Sequence, residues 1–168
     1  MNVQRQIDGN KPGVEKLKLL GDLLYLYFRS PKHQDLPLRG IRAALQPPID
    51  LQQVVVFHHD DVPVASITWA FFSEQAEQAF LTGRPVEPSD WRSGNRMWVV
   101  EMVSLLPDGR GNRAIRWFLD KIPDRIGQLQ FLRNADDPLA MRHVVFERNQ
   151  NGRWGIGATI DQTQTGDH

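Results

Sequence analysis

The chain has 168 residues, 40% of them apolar and 24% charged, and its 20 basic and 20 acidic side chains cancel to a formal net charge of zero. That length can bury a core without disulfide or metal staples, and neutrality excludes a global attraction to nucleic acid or to a membrane surface. Cysteine is absent, which excludes disulfides, thiolate metal sites and a cysteine nucleophile. The opening MNVQRQIDGNKPG has no apolar signal-peptide core, and no run reaches membrane-spanning length. A cytoplasmic protein with no membrane span is expected.

Residues 1–13 are polar and read as a flexible arm, residues 14–150 as one domain, and residues 151–168 as a polar tail. In VEKLKLLGDLLYLYFRSPKH, Leu17, Leu20, Leu24, Tyr27 and Phe28 recur at helical spacing and predict an amphipathic helix. Pro31 disfavours a helical Ser30, so the helix should stop there and pass His33 to the loop beyond. A short helix over Leu38 to Leu45 is expected to end at Pro47 and Pro48. LQQVVVFHHDDVPVASITWAFF reads as a β-hairpin turning at His58 to Asp61. Ser73 is the expected N-cap of SEQAEQAFL, and TGRPVEPSDWRSGNR is loop. A long strand, MWVVEMVSLL, comes next. A glycine-bearing turn, a helix in PDGRGNRAIRWFLDKIP and the short strands QLQFLRN and HVVFERN complete the order. The fold class is therefore α/β (α+β), a mixed sheet with helices packed against it.

Glu101 lies inside the long strand, among apolar neighbours, where an unpaired charge would cost several kcal/mol. Strict alternation puts Met97, Val99, Glu101, Val103 and Leu105 on one face. Its carboxylate is either a structural ion pair to an arginine such as Arg96 or Arg116, a catalytic or orienting acid, or a group at an exposed strand edge. His33, between Pro31 and Pro37, is the most suitable partner, because a carboxylate on one ring nitrogen makes the other more basic. A surface histidine without a role is the competing reading. His58 and His59 beside Asp60 and Asp61 look like a metal cluster, but consecutive strand residues diverge, so a solvated hairpin tip is expected and no metal site. The turn PDGRGNRA could present backbone N–H groups, Arg110 and Arg113 to an anion, or be a plain turn. It has neither P-loop nor dinucleotide spacing. Ser30, Ser66, Ser73 and Ser104 lack a nucleophile-elbow context.

The segments LGDLLYLYFRSPKH, PVASITWA and DWRSGNRMWVVEMVSLLPDG, with IRWFLDKIP after them, resemble the toxin-activating lysine acyltransferases, the bacterial enzymes that fatty-acylate RTX haemolysins. The likeness runs from about Leu20 to Pro123. Its most specific parts are the Ser-Pro-x-His and Trp-x-Ser-Gly-x-Arg-x-Trp patterns. The resemblance implies a fold related to the GCN5-type N-acyltransferases. It implies acyl transfer from acyl carrier protein to the ε-amino group of an internal lysine of an RTX protoxin, with no bound cofactor beyond the phosphopantetheine thioester of the donor. The essential histidine of that family falls on His33, its nearby serine on Ser30 and its acidic residue on Glu101, where aspartate is usual. The stretch RAALQPP is apolar where relatives often carry a polar amide.

The resemblance leaves two routes open, His33 as general base for the lysine or His33 as nucleophile through an acyl-imidazole. Backbone N–H groups from Trp98 to Leu106 are the expected oxyanion donors. Arg110, Gly111 and Arg113 are the candidates for holding the phosphopantetheine phosphate or the acidic carrier surface. Relatives often pair, so a homodimer is also among the implied partners. The alternatives are a non-catalytic descendant that binds toxin or carrier, and a small-molecule N-acyltransferase using acyl-CoA.

Overall fold

The computed structural model describes residues 13–107, 111–134 and 140–163. Four helices, α1 (Val14–Arg29), α2 (Leu38–Leu51), α3 (Glu74–Leu81) and α4 (Gly111–Lys121), accompany six strands: β1 (Val54–His59), β2 (Val62–Phe72), β3 (Arg96–Ser104), β4 (Gln128–Asn134), β5 (Ala140–Arg148) and β6 (Trp154–Thr163). The strands form one sheet in chain order, antiparallel throughout except where β3 runs parallel to β4. The expected mixed α/β architecture is present. The expected arm at residues 1–13 falls almost wholly outside the described residues.

Helix α1 stops where Pro31 requires it, with Ser30 extended at φ −88°, ψ 118°. Its buried stripe differs from the expected one. Leu23, Leu26 and Tyr27 are buried with Leu19 beside them, whereas Leu17 and Phe28 are exposed. Leucine lies nearly all round this helix, so periodicity alone could not choose which arc the sheet covers. Helix α2 also departs from expectation, because it continues through Pro47 and Pro48 to Leu51 instead of stopping before them. Each internal proline costs about 3 kcal/mol in an isolated helix. Here both rings are buried beside Leu45 and Ile49, and that packing offsets the lost backbone bonds.

The β1–β2 hairpin turns through Asp60 and Asp61, both at positive φ (48° and 63°), the conformation that matches strand twist in a two-residue loop. Helix α3 begins as expected, with Ser73 Oγ accepting from Ala76 N at 3.2 Å. At the far edge, Trp154–Thr163 pairs with β5 as the outer strand, so most of the segment expected as a polar tail belongs to the sheet. The alternation in WGIGATI carried that signal, masked by the polar residues after it.

Helix α4 covers one face of the sheet, burying Ile67, Val99, Phe118 and Leu119. Helices α1 and α2 cover the other, around Leu23, Leu26, Leu45 and Val103. Helix α3 and the loop before β3 extend that second layer with Phe72, Trp91 and Trp98. Within the loop, a Cβ on Gly94 would stand 2.4 Å from the Phe72 carbonyl oxygen and 2.6 Å from Ser73 N. Because backbone cannot yield as a side-chain tip can, Gly94→Ala should destabilise the fold by roughly 2–3 kcal/mol, measured as a lower midpoint in urea. An unchanged midpoint would show that the loop is free to move away from β2.

Among the described residues no helix is long and apolar enough to cross a membrane.

Candidate active site

Two local irregularities build the site. The first is the end of α1: beyond Ser30, a turn closed by His33 N donating to Ser30 O (2.9 Å) carries the chain back, so that the His33 ring lies against Tyr27 with centroids 4.2 Å apart. The second is a bulge in β3. Thr68 pairs with Glu101 but Trp69 pairs with Val99, leaving Val100 as the extra residue. A bulge re-aims the side chains that follow it. Met97 and Val99 therefore face α4, while Glu101 joins the face of Val103 and Trp98, toward α1. The strict alternation expected from the sequence, with Glu101 beside Met97 and Val99, is overturned by that one inserted residue.

Glu101 meets His33 and Lys32 there. Its Oε2 is 3.2 Å from His33 Nε2, and Lys32 Nζ lies 3.0 and 3.3 Å from the two carboxylate oxygens. On the opposite side of the ring, His33 Nδ1 is 2.7 Å from Ser30 Oγ. The Nε2 approach to the carboxylate is close but is not an aligned hydrogen bond. Burial by itself pushes the Glu101 carboxyl up, but the His33 contact and the Lys32 charge outweigh it and hold the group below its ordinary value. An ionised carboxylate facing Nε2 is attractive only if that nitrogen carries hydrogen; in the tautomer with Nε2 protonated and Nδ1 free, the Ser30 hydroxyl donates to Nδ1. Tyr27, beneath the ring, has its phenol pushed up by burial and by the Glu101 charge, and stays neutral.

The pairing has a pH signature. A carboxyl held below 4.5 in the folded chain but ordinary in the unfolded one stabilises the fold above about pH 4.5, and that stability is lost as pH falls through the folded value. Glu101→Gln should therefore flatten the acid side of a stability-versus-pH curve; an acid limb identical to wild type would show that the ion pair does not couple to folding.

The site opens on a cleft. Strands β3 and β4 pair only at Trp98–Gln130 and Val99–Phe131, and then separate. The resulting space, about 1690 Å³, is lined by apolar groups including Val100, Met102, Leu119, Phe131, Phe146 and Trp154. Lys32, Glu101 and Arg116 supply charge along it. His33 is 4% exposed and stands behind Glu101 and Lys32, whereas the Lys32 side chain is 67% exposed.

The other expected site residues fall elsewhere. Arg110 lies outside the described residues. Gly111 opens α4, and Arg113 is exposed in its first turn. Arg96, weighed as a partner for Glu101, instead donates to Glu77 Oε2 at 2.7 Å. His58 and His59 diverge: His58 contacts Asp22 at 3.0 Å, and His59 is exposed near Asp60.

The Trp-x-Ser-Gly-x-Arg-x-Trp pattern proves architectural. Trp91 is buried, Ser93 Oγ accepts from Ser73 N (2.8 Å), and Gly94 N donates to Phe71 O (2.9 Å). Arg96 and Trp98 both donate to Glu77, a buried glutamate of α3. Glu77 also accepts from Gln130 of β4 (2.9 Å), and Gln130 contacts His143 of β5, which stacks on Trp98. One carboxylate thus ties α3 to both strands at the point where they separate. Sequence reading missed Glu77, because nothing in SEQAEQAFL marks one glutamate of an exposed-looking helix as buried. Lys32 was missed as well, being an ordinary polar loop residue until the turn brings it to Glu101.

A carboxylate, an imidazole and a hydroxyl thus stand in series beside a cleft of mixed apolar and charged lining, at the parting of two parallel strands. The chain belongs to the RTX toxin acyltransferase family, whose profile matches residues 13–141. It is 30% identical over 121 residues to the protein-lysine palmitoyltransferase CyaC of Bordetella bronchiseptica, covering 70% of this chain and 64% of that protein. It is likewise 30% identical over 118 residues to the protein-lysine myristoyltransferase HlyC of Escherichia coli, covering 70% and 66%. The lysine-acyltransferase RtxC of Vibrio cholerae is 31% identical over 100 residues, covering 58% and 64%. These alignments span just under two thirds of the relatives' own lengths.

Proposed function

We propose that this protein transfers a fatty acyl group from the phosphopantetheine thioester of acyl carrier protein to the ε-amino group of internal lysines of an RTX toxin. The observation that carries this reading is the Ser30–His33–Glu101 series beside a cleft that has apolar side chains such as Met102, Phe131 and Phe146 along part of its lining. Family membership supports the reaction class, and the relatives' names supply lysine as acceptor and palmitoyl or myristoyl as donor groups.

The acceptor arrives as an ammonium, with an ordinary pKa of about 10.4, and needs a base before it can attack. Glu101 attracts the ammonium and contacts the imidazole, and the His33–Glu101 pair takes the proton, with Ser30 held on the far ring nitrogen. Lys32 occupies the place beside Glu101 that an acceptor ammonium would take, so it swings aside as substrate enters. The amine then attacks the thioester carbonyl. Beyond Val99 no described strand pairs with β3 on its β4 side, so backbone N–H groups of this edge are available to the oxyanion. Gly111 and Arg113 at the start of α4, with Arg110, which precedes them in the sequence, remain the candidates for the carrier's phosphate.

The test is mass spectrometry of an RTX protoxin incubated with this protein and myristoyl- or palmitoyl-loaded carrier protein, with the same acyl-CoA in parallel. Acyl amides on internal toxin lysines from the carrier donor support the reading. Transfer from acyl-CoA to small amines, with none to toxin, would replace it with a small-molecule acyltransferase.

A further inference from the structure

Lys32 is the one amino group that the fold delivers to this site among the described residues. The chain has only five lysines, Lys11, Lys16, Lys18, Lys32 and Lys121. Lys16 pairs with Asp50, Lys18 with Asp22, and Lys121 lies over the Trp117 ring. Among the described lysines, only Lys32 lines the cleft, with its nitrogen against both oxygens of the carboxylate that faces His33. Its neighbour in sequence is the buried histidine itself, and its own side chain is largely exposed and free to turn toward a bound donor. In position and in chemistry it reproduces a substrate ammonium.

We propose that Lys32 is an internal acyl acceptor, modified by the chain's own site to a fatty amide when an acyl thioester is bound and no toxin lysine displaces it. This rests on the acyl-transfer reading above. In the step, the Lys32 ammonium yields one proton to the His33–Glu101 pair and the freed amine forms a C–N bond to the thioester carbonyl carbon. The C–S bond breaks, the pair returns its proton to the leaving sulfur as a thiol, and the surplus proton on nitrogen passes to water. The product loses the Lys32 positive charge, and with it the ion pair to Glu101, and its alkyl chain is tethered at the mouth of the cleft. The site therefore reacts with its own lysine by the same proton route it offers to toxin.

The experiment uses the full chain incubated with palmitoyl-loaded carrier protein, with and without an RTX protoxin, followed by neutral hydroxylamine and peptide mass mapping. Hydroxylamine removes ester, thioester and imidazole adducts and spares amides. The expected result is a hydroxylamine-resistant palmitoyl mass on Lys32 at least tenfold above that on Lys16, Lys18 or Lys121. It should vanish in His33→Ala and in Lys32→Arg. Toxin lysines acylated in a tube where Lys32 stays unmodified, both with toxin and without it, would overturn this inference alone. Equal labelling of all the chain's lysines, or labelling that survives in His33→Ala, would show mere thioester reactivity and overturn it too. No amide on either protein would overturn it together with the proposed function.

Discussion

Replacing His33 by alanine should lower acyl transfer to toxin by about two to four orders of magnitude, the usual contribution of a positioned acid–base group. The expectation follows from geometry: the ring is the link between the Ser30 hydroxyl at 2.7 Å and the Glu101 carboxylate at 3.2 Å. Without it, Glu101 can still attract an ammonium, but the imidazole that would accept its proton is gone. The variant also leaves a void over Tyr27, where the ring had packed, so loss of activity must be separated from loss of fold. Two measurements do so. Thermal denaturation should show a folded protein, and millimolar imidazole should restore part of the activity by entering the space the side chain left. Acyl transfer within threefold of wild type would remove His33 from the mechanism. A folded variant that imidazole does not rescue would point to a covalent role in which the ring's tether to the chain matters.

The largest stability effect is expected at Glu77. Its carboxylate accepts from the Trp98 indole N–H at 2.8 Å, the Gln130 amide at 2.9 Å and the Arg96 guanidinium at 2.7 Å. Glu77→Ala leaves all three donors without that acceptor, two of them buried, and removing one partner of such a group costs about 3–5 kcal/mol. For a chain of this size the loss corresponds to a Tm lower by roughly 6–20 °C. Glu77→Gln keeps an acceptor oxygen and should cost less, so its own shift from wild type measures the carboxylate's charge, and the gap to Glu77→Ala measures the acceptor and packing. Because Glu77 joins β3 to β4 where they part, the alanine variant should also lose activity beyond its loss of folded protein. A Glu77→Ala protein as stable as wild type would mean that the network is not fastening the strands.

Much of this protein was legible in one dimension. Pro31 ended α1, Ser73 capped α3, the polar run His58–Asp61 held the first hairpin turn, which the structure narrows to Asp60 and Asp61, and a glutamate inside an apolar strand announced that it needed a partner. Those features act over a few residues, where propensity and sterics suffice. The resemblance to toxin-activating acyltransferases, resting on short patterns around His33 and Trp91–Trp98, was also present in the chain alone, and the family match extends from residue 13 to 141. Other features depended on energies that local sequence does not contain. Pro47 and Pro48 stay helical because burial outweighs a local penalty. The arc of α1 that is covered depends on what lies beneath it. Above all, a single extra residue at Val100 turns Glu101 from the face of α4 to that of α1, and so creates the contact with His33. A bulge is decided by how two strands pair, a property of neither strand by itself. The sequence by itself therefore determined which residue types the site would use, and tertiary structure decided which of them meet, because meeting depends on register and packing across elements tens of residues apart.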